Sequence, residues 1–267
     1  MDILLFRLYG PMASWGEIAV GESRHTANYP SKSAILGLIG AALGIERHDE
    51  VMQSRLQQGY VQAVEVLSTG QLLRDYHTAQ APMGDQLRYL YTRRDELNAY
   101  KDQDKSPSKS NRPNAILSSR EYRGDALALV AVRALPDAPF SLSQIREKLL
   151  KPVFHLYLGR KSCPLAAPLH PQLLIDQANF LAAFKAYRHQ SLLPTSQRSG
   201  GQPSERDCYW LGISGERHYF WEGAPEDFSD SPDLTRRQTR IRHDQPLSRK
   251  RWQFVPRQEH YFYQAGE

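Results

Sequence analysis

Tyr29-Pro30-Ser31-Lys32-Ser33-Ala34-Ile35-Leu36-Gly37-Leu38-Ile39-Gly40-Ala41-Ala42-Leu43-Gly44 is the stretch on which the fold reading turns. Pro30 and Ser31 open a helix, with Ser31 or Ser33 as its cap. Ile35, Leu38, Ile39, Ala42 and Leu43 fall at i, i+3, i+4, i+7 and i+8, which gives one apolar face, and Gly44 ends the helix. Before it, the apolar run Ile3 to Tyr9, interrupted by Arg7 and closed by Gly10-Pro11, predicts a strand. After it come a short helix over Asp49 to Gln58 and two strands, Val61 to Ser68 and Gln71 to Thr78, joined at Thr69-Gly70. A further strand over Ser119 to Arg133 is apolar on both faces, and a helix from Ser141 carries the capping-box spacing Ser141…Gln144. Strand, helix, strands, helix, strand is the order of a ferredoxin-like sandwich, the architecture of an RNA-recognition motif (RRM).

The expectation is therefore an α+β fold: a ferredoxin-like, RRM-like N-terminal domain over 1–152 and a β-rich C-terminal region over 153–267, with one helix near Asp176 to Arg188. Two segments break this pattern. Ala79 to Ser118 is polar, and its stretch from Lys101 to Pro113 is too polar to bury. Alternation at Leu87, Tyr89 and Tyr91 against Arg88, Leu90 and Thr92, followed by Arg93-Arg94, predicts one strand of a long projecting hairpin over about 78–123. Thr195 to Asp207 reads as a Ser/Gly/Gln-rich loop.

The 267 residues carry a net charge of +5, which favours an anionic partner. Two cysteines, Cys163 and Cys208, are too few for a disulfide framework or zinc cluster, and with no signal-like start they point to a cytoplasmic protein. The longest apolar run, Ala34 to Ile45, is too short for a bilayer, so no membrane association is expected. No metal-ligand spacing occurs among the nine histidines, so neither metal nor cofactor is expected. Gly212-Ile213-Ser214-Gly215-Glu216 misses the nucleophile elbow at its last position. Gly37, Gly40 and Gly44 lie inside a helix rather than between strand and helix, so they suit close packing and not a dinucleotide.

Basic clusters carry the functional reading. Tyr157-Leu158-Gly159-Arg160-Lys161-Ser162-Cys163-Pro164-Leu165 places two cations and a hydroxyl between a glycine and a proline, donors suited to phosphate. The same residues would suit a solvated basic turn. Recurrence elsewhere favours phosphate: Lys32 and Ser33 at a helix start, Arg74-Asp75-Tyr76-His77-Thr78, Arg120-Glu121-Tyr122-Arg123, and eight cations between Arg236 and Arg257. Cys163, before Pro164 and an apolar run, should pack inward and be inert.

In this order the motifs resemble the CasD (Cas-five) family of type I-E CRISPR Cascade complexes. The carriers are Gly10-Pro11-Met12-Ala13-Ser14-Trp15-Gly16, Arg24-His25-Thr26, Tyr29 to Ile45, Arg74 to Thr78, Arg120-Glu121-Tyr122 and Tyr157 to Leu165, with a looser match at Arg242-His243-Asp244-Gln245-Pro246. The insert around Lys101 to Asn111 and the Thr195 to Asp207 loop depart from the family. The resemblance implies a non-catalytic subunit that caps the 5′ handle of crRNA and joins the Cascade backbone subunit to the large subunit, meeting target DNA only indirectly. RNA contacts are then expected at Trp15, Arg24, Lys32, Ser33, Tyr76, His77, Arg120, Tyr122, Arg160, Lys161 and Ser162. The hairpin becomes a thumb bearing Arg88, Tyr89, Tyr91, Arg93 and Arg94. The alternative is a metal-independent endoribonuclease acting on CRISPR repeat RNA, built on Tyr76, His77 and Lys161.

Overall fold

The computed structural model describes residues 1–17, 19, 21–80, 91–95, 115–192, 203–229, 237–248, 251 and 253–266. The chain runs β1 (Ile3–Tyr9), β2 (Met12–Ala13), β3 (Ser23–Arg24), α1 (Lys32–Leu43), α2 (Glu50–Gly59) and β4 (Tyr60–Ser68). It continues through β5 (Gln71–Gln80), β6 (Ala115–Gly124), β7 (Leu127–Ala134), α3 (Leu142–Leu150), β8 (Gln172–Leu174) and α4 (Phe180–Ala186). Last come α5 (Glu205–Leu211), β9 (Arg217–Trp221), β10 (Gln238–Ser248) and β11 (Gln253–Gln264).

Seven strands form one sheet in the order β10-β11-β9-β4-β7-β1-β8, and its described ladders are antiparallel. Because β9 pairs with β4, strands from both sides of residue 152 share this sheet. Both faces of its central strands are buried, which is why β1, β4 and β7 read as near-continuous apolar runs. On one face, Leu4, Phe6, Val64, Val130 and Val132 pack with Ile35 and Ile39 of α1 and with Ile145 and Leu149 of α3. On the other, Ile3, Leu5, Ala63, Leu129 and Ala131 pack with Phe180, Phe184, Tyr187, Trp221 and Phe228. Arg7 is tolerated inside β1 because its guanidinium donates to the carbonyls of Pro168 (2.9 Å) and Gln190.

A second sheet holds the hairpin. β5 pairs with β6 from Gln71↔Gly124 to Gln80↔Ala115, while β2 and β3 add to the other edge of β6. The hairpin is thus rooted at Gln71 and Gly124, earlier than the expected boundary near 78. The single strand expected over Ser119 to Arg133 is two strands in two sheets, parted where Asp125 takes a left-handed φ of 55°. Residues Gln71 to Ala79 of β5 are exposed apart from half-buried Asp75, as a projecting strand would be.

Three further expectations need correction. Arg93 and Arg94 lie in a helical turn, not a strand, because Thr92 and Asp95 cap each other: Thr92 N donates to Asp95 Oδ2 (2.9 Å) and Asp95 N to Thr92 Oγ1 (3.2 Å). Tyr91 precedes that turn and is exposed, whereas Arg88, Tyr89 and the stretch from Lys101 to Pro113 lie outside the described residues. Of the loop expected over Thr195 to Asp207, Glu205 onward is helix, capped when Asp207 N donates to Ser204 Oγ (3.1 Å). The helix near Asp176 begins at Phe180 with Asn179 as its cap.

Candidate nucleic-acid interface

The turn from Tyr157 to Pro164 is held by Leu158 N donating to Cys163 O (2.8 Å) and Cys163 N to Arg160 O (2.9 Å). Cys163 and Leu158 are buried, so the turn hangs from an apolar anchor and burial pushes the Cys163 thiol pKa up. Ser14 N donates to Leu158 O (3.0 Å), locking the turn against the segment after β1. Gly159 is required there: its φ is +86°, and a Cβ would lie 1.8 Å from Ser14 O. With the stem fixed, Lys161 and Ser162 stand exposed at the tip.

Arg160 points back to the second sheet. Its guanidinium lies 4.9 Å from the Tyr122 ring centroid and donates at 3.4 Å to the carbonyls of Glu121 and Arg24. Arg24 pairs in register with Arg120, and Arg120 with Asp75. Strand periodicity then places Asp75, His77, Arg120 and Tyr122 on one face, and Arg74, Tyr76 and Glu121 on the other. His77 Nε2 lies against the Asp75 carboxylate across one side of β5. On the opposite face Glu121 accepts from Arg74 Nη2 (2.9 Å), Thr26 N (3.3 Å) and His25, whose Nδ1 is 3.3 Å away. Burial alone would raise the Glu121 pKa; these donors outweigh it and hold the carboxyl below its ordinary value.

Four stretches far apart in sequence therefore converge: Arg24-His25-Thr26, Arg74 to Thr78, Arg120 to Arg123, and Gly159 to Ser162. Arg24, Tyr76, His77, Arg120, Lys161 and Ser162 are exposed. Tyr122 is not a free stacking platform, because it is buried beneath Arg160. Arg123, expected within a basic cluster, is bonded to Asn28, and sequence reading passed over the part Arg74 and His25 play on Glu121. Direct cross-strand opposition of Arg74 and Glu121, once the hairpin register is known, is the signal for the latter.

The other expected contacts lie elsewhere. Trp15 is buried in the core, with its backbone N–H donating to Thr26 Oγ1 (2.9 Å), so it is not an exposed aromatic. Lys32 is 5% exposed and its Nζ lies 2.8 Å from Glu222 Oε2. Its backbone N–H donates to Asp244 Oδ2 (2.9 Å), so an internal carboxylate occupies the α1 N-terminus where phosphate was expected. Half-buried Ser33 has its hydroxyl 3.0 Å from that of Ser31, which caps the helix. In the basic C-terminal segment, Arg236, Arg249 and Lys250 lie outside the described residues and Arg251 is exposed, but three others are engaged inward. Arg257 donates to Asp244 (2.6 Å) and Glu259 (2.6 Å), Arg242 lies 4.7 Å from the Tyr29 ring, and Arg240 lies 4.6 Å from the Tyr261 ring. Among the described residues no group of three or more His, Cys, Asp and Glu side chains could hold a metal ion.

The model of the family described as CRISPR-associated protein (Cas_Cas5) matches residues 3–259. The CRISPR system Cascade subunit CasD of Escherichia coli (strain K12) is 34% identical over 176 residues, covering 62% of this chain and 68% of that protein. A chain of a CRISPR RNA-guided surveillance complex superposes with a TM-score of 0.59 at 22% identity, covering 98% of this chain and 89% of that one. A solved Cas protein gives 0.58 at 23% identity, covering 98% and 94%. By its sequence this chain belongs to the CRISPR-associated Cas_Cas5 family.

Proposed function

We propose that the chain is a non-catalytic, cytoplasmic subunit of a type I-E Cascade surveillance complex that binds crRNA and caps its 5′ handle. The observation that carries this is the convergence of Arg24, Arg120, Arg160, Lys161 and Ser162 on one edge of the second sheet, beside an exposed hairpin. Exposed Arg24, Arg120 and Lys161 suit the phosphate chain, with His77 on the same face of the hairpin as Arg120, while exposed Tyr76 offers a stacking surface on its other face. The order β4-β7-β1-β8, with α1 and α3 on one face, supports the ferredoxin-like reading of the sheet. Phe180, Phe184, Tyr187 and Phe228 cover the face on which an RRM would stack bases. This favours RNA binding through the hairpin and the turn instead. Leu72, Leu73 and Ile116, exposed along the hairpin, favour burial against the backbone subunit, with the large subunit as a second neighbour.

The test is co-expression with the remaining Cascade subunits and a repeat-spacer transcript. We expect the chain to co-purify with a discrete crRNA, and the purified chain to leave labelled repeat RNA intact in EDTA. Site-specific cleavage that disappears in His77→Ala would overturn the non-catalytic assignment. Tyr76 and His77 pair with Ser119 and Ser118 and so project to opposite faces of β5, an unfavourable geometry for acting on one phosphate.

A further inference from the structure

At the root of the hairpin, on the far side of the β4–β5 turn, lies a cavity of about 460 Å³ that the RNA surface does not use. Its walls come from Ser68-Thr69-Gly70-Gln71, Gly124-Asp125, α5 and the segment leading into β9. Two neighbouring aromatics of α5 line it, Tyr209 (78% exposed) and Trp210 (66% exposed), with ring centroids 5.2 Å apart and planes at 88°. Aromatic area of that size left in water marks a contact surface. The charges are the opposite of the rest of the molecule. Asp125 and Glu216 line the cavity, and among the described residues no Lys or Arg does, on a chain of net charge +5. The adjacent Arg217 does not line the cavity: its guanidinium is engaged by the carbonyls of Ser214 (2.5 Å) and Glu216 (2.8 Å), with Nε 3.5 Å from buried Glu65. His218 is held by the Tyr261 hydroxyl at 2.9 Å, and Asp125 accepts from the Tyr9 hydroxyl at 3.1 Å.

We propose that this cavity receives an arginine side chain from a neighbouring protein subunit. The guanidinium would stack on the Trp210 or Tyr209 face while Asp125 and Glu216 accept its N–H groups. RNA is the wrong occupant, since its phosphates would face two carboxylates with no cation in the wall among the described residues. The inference deepens the reading of the chain as one subunit of a larger complex and rests on it for the identity of the neighbour.

Two experiments bear on it separately. In the isolated protein, the Trp210 indole N–H resonance, assigned with Trp210→Phe, is followed while acetyl-Gly-Arg-Gly-amide is added. We expect a saturable shift, weakened by about 2–5-fold in Tyr209→Ala and in Glu216→Gln, and none with acetyl-Gly-Glu-Gly-amide or an RNA octamer. A shift with the RNA, or none with the arginine peptide, overturns the proposal whatever the chain's role in Cascade. In the reconstituted complex, a photo-crosslinking residue replaces Trp210. An adduct on an Arg-containing peptide of another subunit supports the proposal. An adduct on RNA, or no adduct in a fully assembled complex, overturns it. Failure of the wild-type chain to assemble would count against the Cascade role alone, and the peptide titration would still decide the cavity.

Discussion

The turn at Gly159 and the start of α1 have nearly the same sequence chemistry, cations and hydroxyls beside a glycine or proline, and the fold gives them opposite uses. At the turn, Lys161 and Ser162 are exposed and no carboxylate is bonded to them among the described residues. At α1, Lys32 is buried against Glu222, and Asp244 occupies the helix amides that phosphate would have used. Those carboxylates come from about 190 and 212 residues away in sequence. A cation's local sequence context thus says what it can bind; which carboxylates fold against it says whether it is still available.

The sharpest way to break the comparison is Lys32→Ala. Removing one partner of a buried ion pair leaves the Glu222 carboxylate with only the Gln62 N–H (3.1 Å) and the charge of Arg257, a loss of the kind that costs roughly 3–5 kcal/mol. Urea titration of the variant should show that loss, while the surviving folded protein keeps the wild-type salt slope of RNA binding. An unchanged stability with a weakened salt slope would return Lys32 to the RNA surface.

That contrast also explains how much was legible. α1, α2 and the capping box of α3 could be read because their signals are local: a 3.6-residue period, Ser141…Gln144 and Gly44. The burial of β7 was legible from its apolar run, but its separation from β6 was not, since one residue at positive φ, Asp125, makes that break. Four basic motifs proved to be neighbours, and their order along the chain, not any one spacing, pointed there. The burial of Tyr122 was not legible because an aromatic beside cations reads alike whether it stacks on a base or on Arg160, and that of Trp15 because the core segments that cover it are distant in sequence.

Carboxylates sharpen the comparison through pH. Glu121, at the exposed sheet, is held low by its donors, so its contribution to stability persists above its unfolded pKa and fades only as pH falls through the folded one. Glu65 is the reverse. Burial outweighs Arg217 and the Tyr219 hydroxyl (3.2 Å) and raises its pKa to about 7. Between its unfolded value of about 4.5 and about 7, the unfolded chain releases a proton that the native state keeps. Stability should therefore fall as pH rises through this window, by at most about 1.4 kcal/mol per pH unit from this group. Denaturant midpoints between those limits should show that component in the wild type and lose it in Glu65→Gln. An identical slope in both would mean that Glu65 is ionised in the native state at the acid end.

The smallest change in stability belongs to the turn itself, and it is the most diagnostic of function. Arg160→Ala with Lys161→Ala removes one guanidinium stacked on Tyr122 and one exposed ammonium. The stacking is worth about 0.5–1 kcal/mol at such a site. The fold's anchors, Leu158, Gly159 and Cys163, are untouched, so the thermal transition should barely move. RNA binding should respond differently. Each phosphate contact on a single strand contributes about 0.7 to the slope of log affinity against log salt, so losing two should flatten it by roughly 1.4. Titrations of the 5′ handle at several salt concentrations measure that slope directly. A doubly substituted protein that melts like wild type but binds with a flatter slope would identify the turn as a phosphate-binding element. An unchanged slope would make it a solvated basic turn, and the comparison with α1 would lose its functional half.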